Sequence, residues 1–324
     1  MQSSEELLEI IDKYIKQLEL QNPPAELYNP ISYTLNTKGK RIRPLLTLLA
    51  CQMFSENIEP AIYPALGLEV FHNFTLLHDD IMDNASIRRG LPTVHKKWST
   101  NTAILSGDAM MIESYKLISL SPNNKLQDVL NVFSKTALGV CEGQMYDMQF
   151  EDRLDVSEEE YLKMIELKTS VLLAGSLKIG ALIGGASQKD ADLLYEAGIN
   201  VGLAFQLKDD WLDVYSNPKV FGKKIGGDIV TNKKTYLLIN ALQKADIDNK
   251  NKLIQLIGNK HFNEDEKILS VKNIYNRLNI GDLTLQKAKE YSNKAYKNLE
   301  SIKIEEKLKR ELTELIKRLL ERDK

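Results

Sequence analysis

Apolar residues recur at helical spacing along most of the chain. Leu7, Leu8, Ile11, Tyr14, Ile15 and Leu18 share one face near the N-terminus. Leu308, Leu312, Leu315, Leu319 and Leu320 do the same near the C-terminus, with Lys, Arg and Glu between them. Ser3 with Glu6, and Ser157 with Glu160, have the spacing of a capping box: the serine accepts the backbone N–H three residues on, and the glutamate returns to the serine's own N–H. The second box predicts a helix from about Glu158 to about Gly180. Ser187 with Asp190 opens another, through about Val214. No stretch alternates apolar and polar residues between hairpin turn signals. The expected fold class is therefore all-α.

Breakers are few, with 17 glycines and 9 prolines in 324 residues. The clearest expected loops are Gln21–Pro30, Arg88–Thr93, Ser121–Lys125 and Tyr215–Lys234. The last combines three glycines with five lysines. It reads either as a solvated basic loop or as one that closes on phosphate, because glycine allows close backbone approach and lysine brings point charge. No shift in composition marks a firm domain boundary. One domain over 1–324 is expected, with 246–324 a more polar, peripheral helical part. Ser170–Ser187 is the most membrane-like stretch, but it has Lys178 in its middle, four glycines and too short a run to span comfortably. No membrane span is expected. The N-terminal segment lacks the basic-then-apolar order of a secretory signal.

Lys and Arg number 43 against 45 Asp and Glu, so the near-neutral total offers no general field for nucleic acid. Two cysteines, Cys51 and Cys141, cannot form a disulfide framework and contain no CxxC pair. A reducing cytoplasm is expected.

The chemistry lies in two acidic clusters. Asp79, Asp80 and Asp83 fall within five residues, and Asp209, Asp210 and Asp213 repeat the pattern 130 residues later. On a helix such residues project from one side of one turn. One DDxxD is commonly a solvated acidic patch. Here both copies end apolar helical stretches, FHNFTLLHDD and VGLAFQLKDD, where repelling carboxylates need compensation. Magnesium suits them, since it takes carboxylate and water oxygens and bridges to substrate phosphates. Basic groups keep matching company. GKRIRP (Gly39–Pro44) opens an apolar helix, Arg88 and Arg89 follow the first cluster, and the lysine loop follows the second. Each basic set alone reads as surface charge. Together with the acids they describe a pocket for phosphorylated substrates.

From Gly39 to Thr235 the chain resembles the trans-isoprenyl diphosphate synthases. It carries GKRIRP, DDIMD followed by RRG, KT at Lys168-Thr169, FQLKDDWLD and GKKIGGDI in that family's order. The resemblance implies one bundle of antiparallel helices around a deep cavity, usually homodimeric. It implies that isopentenyl diphosphate condenses with an allylic diphosphate. Mg²⁺, three ions with substrate bound, would be held by Asp79, Asp80, Asp83, Asp209, Asp210 and Asp213. Arg88, Lys168, Lys223 and Lys233 look like the further contacts to the allylic diphosphate. Lys40, Arg43, His72 and Arg89 look like the isopentenyl diphosphate site. Thr169 and Gln206 would offer oxygen dipoles near the carbocation. Gln144 and Asp147, in EGQMYD, resemble a cavity-lining motif, and His78 reads as support for the aspartates. Phe74, five residues before Asp79, followed by the small Thr75, resembles the short-chain pattern that gives geranylgeranyl diphosphate, with farnesyl or longer products as alternatives. Lys38 and Asn232 depart from glycines common in the family.

Overall fold

The computed structural model describes residues 1–18, 22–37, 39–216, 225–259 and 263–321. Lys38 and Lys223 lie outside the described residues. In chain order the helices are α1 (Ser4–Gln17), α2 (Ala25–Asn36), α3 (Ile42–Gln52), α4 (Glu59–Met82), α5 (Val94–Lys97), α6 (Thr100–Ile118), α7 (Leu126–Phe150), α8 (Glu158–Ile165), α9 (Val171–Gly184), α10 (Gln188–Tyr215), α11 (Gly227–Val230), α12 (Tyr236–Lys244), α13 (Ile247–Gly258), α14 (Glu264–Arg277), α15 (Ile280–Ser301) and α16 (Glu306–Glu321). A π-helical turn, Glu166–Ser170, joins α8 to α9. The described β structure is one antiparallel pair of two-residue strands, β1 (Ile87–Arg88) and β2 (Leu91–Pro92). The protein is all-α, as the periodicity predicts.

Both capping boxes form. Ser3 N–H donates to Glu6 Oε2 at 2.7 Å and Ser157 N–H to Glu160 Oε2 at 2.8 Å, with each serine hydroxyl accepting in return. Asp190 N–H donates to Ser187 Oγ at 3.1 Å and starts α10, which runs to Tyr215. One expected loop is a helix instead. Residues 25–30 belong to α2, with Pro30 in its interior, because burial of Ile31 and Leu35 fixes the helix that proline alone argues against.

The chain divides into two compact units. The first comprises 1–135, 175–195 and 302–312. Its central element is α4, buried from Ala61 through Phe71 except at Tyr63 and packed against α3 and α6. Phe71 meets Phe133 edge-on at 5.4 Å, and Phe133 meets Tyr115 at 4.8 Å. Gly180 and Gly184 lie directly on the α3 backbone at Thr47 and Cys51, and a Cβ at either would collide with those carbonyls. That close approach accounts for the glycines of the membrane-like stretch. Lys178 in its middle pairs with Asp192 at 2.5 Å. By length and composition alone Glu158–Gly184 could cross a bilayer, but 72% of its most apolar window is buried inside the protein, as in a core helix.

The second unit comprises 136–174, 196–301 and the chain from Thr313. One core joins Phe150, Tyr161, Leu203, Leu207, Tyr236 and Ala288. Another joins Val214, Leu237, Leu253, Val271, Tyr275 and Ile280. The polar segment after residue 246 thus forms helices that each turn an apolar face inward.

Candidate active site

In the first unit the acidic cluster closes α4. Asp80 is buried, Asp79 is half-buried, and Asp83, at the helix end, is exposed. Arg88 spans the first two: its Nε donates to Asp80 Oδ1 at 2.7 Å and its NH2 to Asp79 Oδ2 at 3.1 Å. Burial pushes the Asp80 carboxyl up, against the pull of Arg88. Arg88 ends β1, and Arg89 and Gly90 form the two-residue turn with φ of 52° and 79°. Two positive φ values in a two-residue hairpin loop are the type I′ signature, whose twist suits short strands. The RRG motif is therefore a turn that returns Arg88 to the acids.

Arg89 leads to a different place. A Cβ at Gly39 would lie 2.8 Å from Arg89 NH1, so the glycine opening GKRIRP makes room for that guanidinium. His72 lies on α4 within electrostatic reach of Arg43, Arg89, Arg88 and Arg41. Burial and these charges hold it well below the usual histidine range, so it stays neutral. Partial burial lowers Arg43 to about 10, and its Nε is buried with no hydrogen-bond partner. A buried guanidinium donor without a partner, beside other arginines, has the chemistry to take an anion. Glu69 is the buried counter-charge. It accepts from Arg41 NH1 at 2.8 Å and from Asn73 Nδ2 at 3.1 Å. Arg41, with φ 48°, is the N-cap residue of α3 and also donates to the Leu35 carbonyl at 2.5 Å, so it braces the motif. The structure thus brings Arg43, His72 and Arg89 within electrostatic reach of one another, and Lys40 is exposed.

In the second unit Asp210 is 3% exposed. It accepts from the Tyr161 hydroxyl, from Gln206 Nε2 at 3.1 Å and from Tyr236 N–H at 3.3 Å. Burial nevertheless pushes its carboxyl up to about 6. Gln206 Oε1 accepts from Thr169 Oγ1 at 3.4 Å, which joins the KT motif to the cluster. Thr169 and Lys168 lie in the π turn, a feature often found at functional sites. Gly143 of EGQMYD lies on the Lys168 backbone, and Lys168 Nζ pairs with Asp147 at 2.5 Å. Asp209 and Asp213 are half-buried, and Lys233 is exposed but lowers the pKa of Asp210 by its charge.

The half-buried stripe of α4 that runs to Asp79 passes through His72 and Thr75. Phe74 lies to one side of it, 8% exposed, with its ring 5.4 Å from Phe71 and 4.8 Å from His78. His78 in turn contacts the Ile104 carbonyl at 3.2 Å, in the space left by Gly107.

The donors at both clusters are carboxylate oxygens. Among the described residues no three His, Cys, Asp or Glu side chains form a ready-made metal cage. That set fits a hard divalent cation that keeps waters and takes its remaining ligands from phosphate.

The profile of the polyprenyl synthetase family matches residues 24–277. The chain belongs to that family. As a member it is a prenyltransferase of the short-chain trans type. It is 43% identical over 237 residues to geranylgeranyl diphosphate synthase of Methanosarcina mazei, covering 72% of this chain and 73% of that one. A crystal structure of a geranylgeranyl pyrophosphate synthase superposes with a TM-score of 0.94 at 44% identity, covering 99% of both chains. A polyprenyl synthase from Caulobacter crescentus CB15, solved with calcium and isoprenyl diphosphate, has a TM-score of 0.87 at 25% identity, covering 99% of this chain and 96% of that one.

Sequence reasoning missed several residues that the structure places at the second acidic cluster. Asp228, in GGDI, joins the second cluster: its N–H donates to Asp213 Oδ2 at 3.1 Å. Burial pushes its carboxyl up to about 7, and Asp209, Asp210 and Asp213 add to that. Tyr161 and Tyr236 hold Asp210 from distant segments. No local signal pairs them with it, although GKKIGGDI does contain Asp228. Asn232 has φ 60°, which explains how it replaces a glycine: asparagine tolerates the left-handed region better than most residues.

Proposed function

We propose that the chain catalyses Mg²⁺-dependent head-to-tail condensation of isopentenyl diphosphate with an allylic diphosphate, giving all-trans geranylgeranyl diphosphate (C20). The observation that carries this reading is the contrast between two kinds of anion site. The aspartate carboxylates themselves can take diphosphate only through metal cations, whereas the Arg43–His72–Arg89 set can take it without metal. One enzyme then has places for two different diphosphates. Three Mg²⁺ supply about six positive charges against roughly six negative ones on the substrates.

The reading assigns both clusters to the leaving diphosphate of the allylic substrate. The allylic C–O bond breaks, and its electron pair leaves with that group. Arg88 donates to the departing oxygens, and Lys168, Lys223 and Lys233 add positive charge there. Asp79, Asp80, Asp83, Asp209, Asp210 and Asp213 would hold Mg²⁺, which would supply Lewis acidity to the leaving diphosphate. Arg43, Arg89 and Lys40 hold isopentenyl diphosphate, and neutral His72 offers it a hydrogen bond without repelling the cation forming nearby. Thr169 and Gln206 turn oxygen dipoles toward that cation. The double bond attacks, a C–C bond forms, and the proton leaves to the departed diphosphate. The names of the relatives and the Phe74–Thr75 pair on α4 support a C20 product.

Release of diphosphate from an allylic substrate tests this directly. It should require Mg²⁺ and isopentenyl diphosphate together. Release without isopentenyl diphosphate would indicate a cyclase, and no release a binding subunit.

A thermal melt reports on the cations without activity. Asp210 and Asp228 have folded values of about 6 and about 7 against an ordinary 3.8. Between those limits the folded protein holds protons that the unfolded chain has lost. The stability from these groups is complete below about pH 4 and is lost as pH rises through about 6 to 7. Neutral His72 works the other way, because below its ordinary 6.5 the unfolded chain takes a proton there that the folded one does not. The comparison is therefore with Asp228→Asn: metal-free wild type should lose more melting temperature than that variant between about pH 5 and about pH 8, with Mg²⁺ and pyrophosphate restoring more at the higher pH. A melt indifferent to both would contradict the assignment.

The reading includes a homodimer in a reducing cytoplasm. Both cysteines are free. Helix α6 exposes Leu105 and Ile112, at 60% and 59%, seven residues apart on one face. Helix α7 exposes Leu138, Met145 and Met148. Exposed apolar stripes of this kind suit a self-complementary contact. Leu105→Glu with Ile112→Glu should give monomers in sedimentation velocity. A dimer that survives both would place the contact elsewhere.

A further inference from the structure

Helix α14 (Glu264–Arg277) carries no residue assigned above, yet it reaches two segments that frame the second acidic cluster. Lys267 is 2% exposed. Its Nζ donates to the Val230 carbonyl at 3.2 Å and to Asn232 Oδ1 at 2.6 Å. The Ile268 side chain packs on Gly226, where an added Cβ would come within 2.7 Å of it. Gly226 N–H donates to the Asp213 carbonyl at 2.7 Å. One turn further along α14, Lys272 Nζ donates to the Val214 carbonyl at 3.0 Å and lies 5.1 Å from the Tyr215 ring. The Tyr215 hydroxyl donates to Asn276 Oδ1 at 3.1 Å. One helix thus grips the end of α10 just after Asp213 and the turn from Gly226 to Asn232.

That turn carries chemistry. Asp228 donates its N–H to Asp213, and Lys233 N–H donates back to the Asp228 carbonyl at 2.9 Å. Asn232 holds the left-handed conformation immediately before Lys233. Its Nδ2 donates to the Ile257 carbonyl at 3.3 Å, so both ends of its amide are fixed. A methionine would fill the Lys267 position without burying an ammonium, and burial penalises that ammonium. What the ammonium adds is direction: a charged donor fixes one carbonyl and one amide oxygen at defined points.

We infer that Lys267 is a positioning residue for the second acidic cluster, holding Asp228 and Lys233 in place beside Asp213 through Val230 and Asn232. This rests on the proposed function. It gives the peripheral C-terminal part a specific task, which neither its composition nor the family match assigns.

The test is Lys267→Met in the full chain, with Asn232→Gly as a second variant that keeps the left-handed backbone but removes one of the lysine's two acceptors. Lys267→Met should raise KM for the allylic diphosphate about tenfold and leave KM for isopentenyl diphosphate within about twofold. Binding of inorganic pyrophosphate with MgCl₂, measured by calorimetry, should weaken by about the same tenfold factor. Asn232→Gly should shift both in the same direction by about threefold, and the double variant should be no worse than Lys267→Met alone. Equal changes in the two KM values, or a lower melting temperature with unchanged KM and pyrophosphate affinity, would overturn the inference. If Lys267→Met does not fold, Asn232→Gly decides, and an unchanged allylic KM there overturns it. If the wild type binds pyrophosphate but does not condense the substrates, the proposed function fails, and the pyrophosphate affinities of the variants still decide this inference.

Discussion

Asp80→Ala should lower turnover by roughly a thousandfold while the protein stays folded. Asp80 is buried and accepts from Arg88, which also holds Asp79. Removing it takes away an anionic oxygen that the cation site needs. It also leaves Arg88 with a single carboxylate partner, free to turn away from the departing diphosphate. Stability should change little, because burial already disfavours the ionised form of this carboxyl. A melting temperature near that of the wild type would separate lost chemistry from lost fold. Asp209→Ala should behave alike from the other cluster. Near-normal turnover in either variant would contradict the assignment of the aspartates.

The second large effect concerns product identity. Thr75 shares the stripe of α4 with Asp79, one helical turn away and half-buried. A chain growing along α4 from the aspartates meets position 75 before the flank where Phe74 sits. Thr75→Phe should therefore put a ring in the path and shorten the main product to C15. Phe74→Ala removes a ring held between Phe71 and His78, and it should let the chain pass to longer products. That variant should also lose about 3 kcal/mol of stability, as large-to-small core changes do. Mass spectrometry of the hydrolysed products reads both. An unchanged C20 product from Thr75→Phe and Phe74→Ala alike would place the floor on another helix.

The parts of this protein legible in its sequence are those set by short-range rules. Ser3–Glu6 and Ser157–Glu160 announce helix starts because a capping box needs only four residues. The acidic clusters stand out because three carboxylates in one turn demand compensation. The hidden parts depend on partners distant in sequence. Gly180 and Gly184 read as membrane-like until the α3 backbone is seen to lie against them. Pro30 suggests a loop until the burial of Ile31 and Leu35 overrides it. The π turn that carries Lys168 and Thr169 has no simple sequence signature. Tyr161, Tyr236 and Asp228 join the second cluster across 49, 26 and 15 residues, and Asn232 shows its reason only through its positive φ.

The central claim is a condensation that consumes one molecule of each substrate for every bond made. Its most direct test is incubation with isotopically labelled isopentenyl diphosphate, farnesyl diphosphate and Mg²⁺, with incorporated label and released pyrophosphate measured together. The account predicts about one pyrophosphate per isopentenyl unit incorporated, with the label in all-trans C20 diphosphate. Pyrophosphate released without incorporation of label, or label recovered in a product lacking diphosphate before hydrolysis, would contradict it.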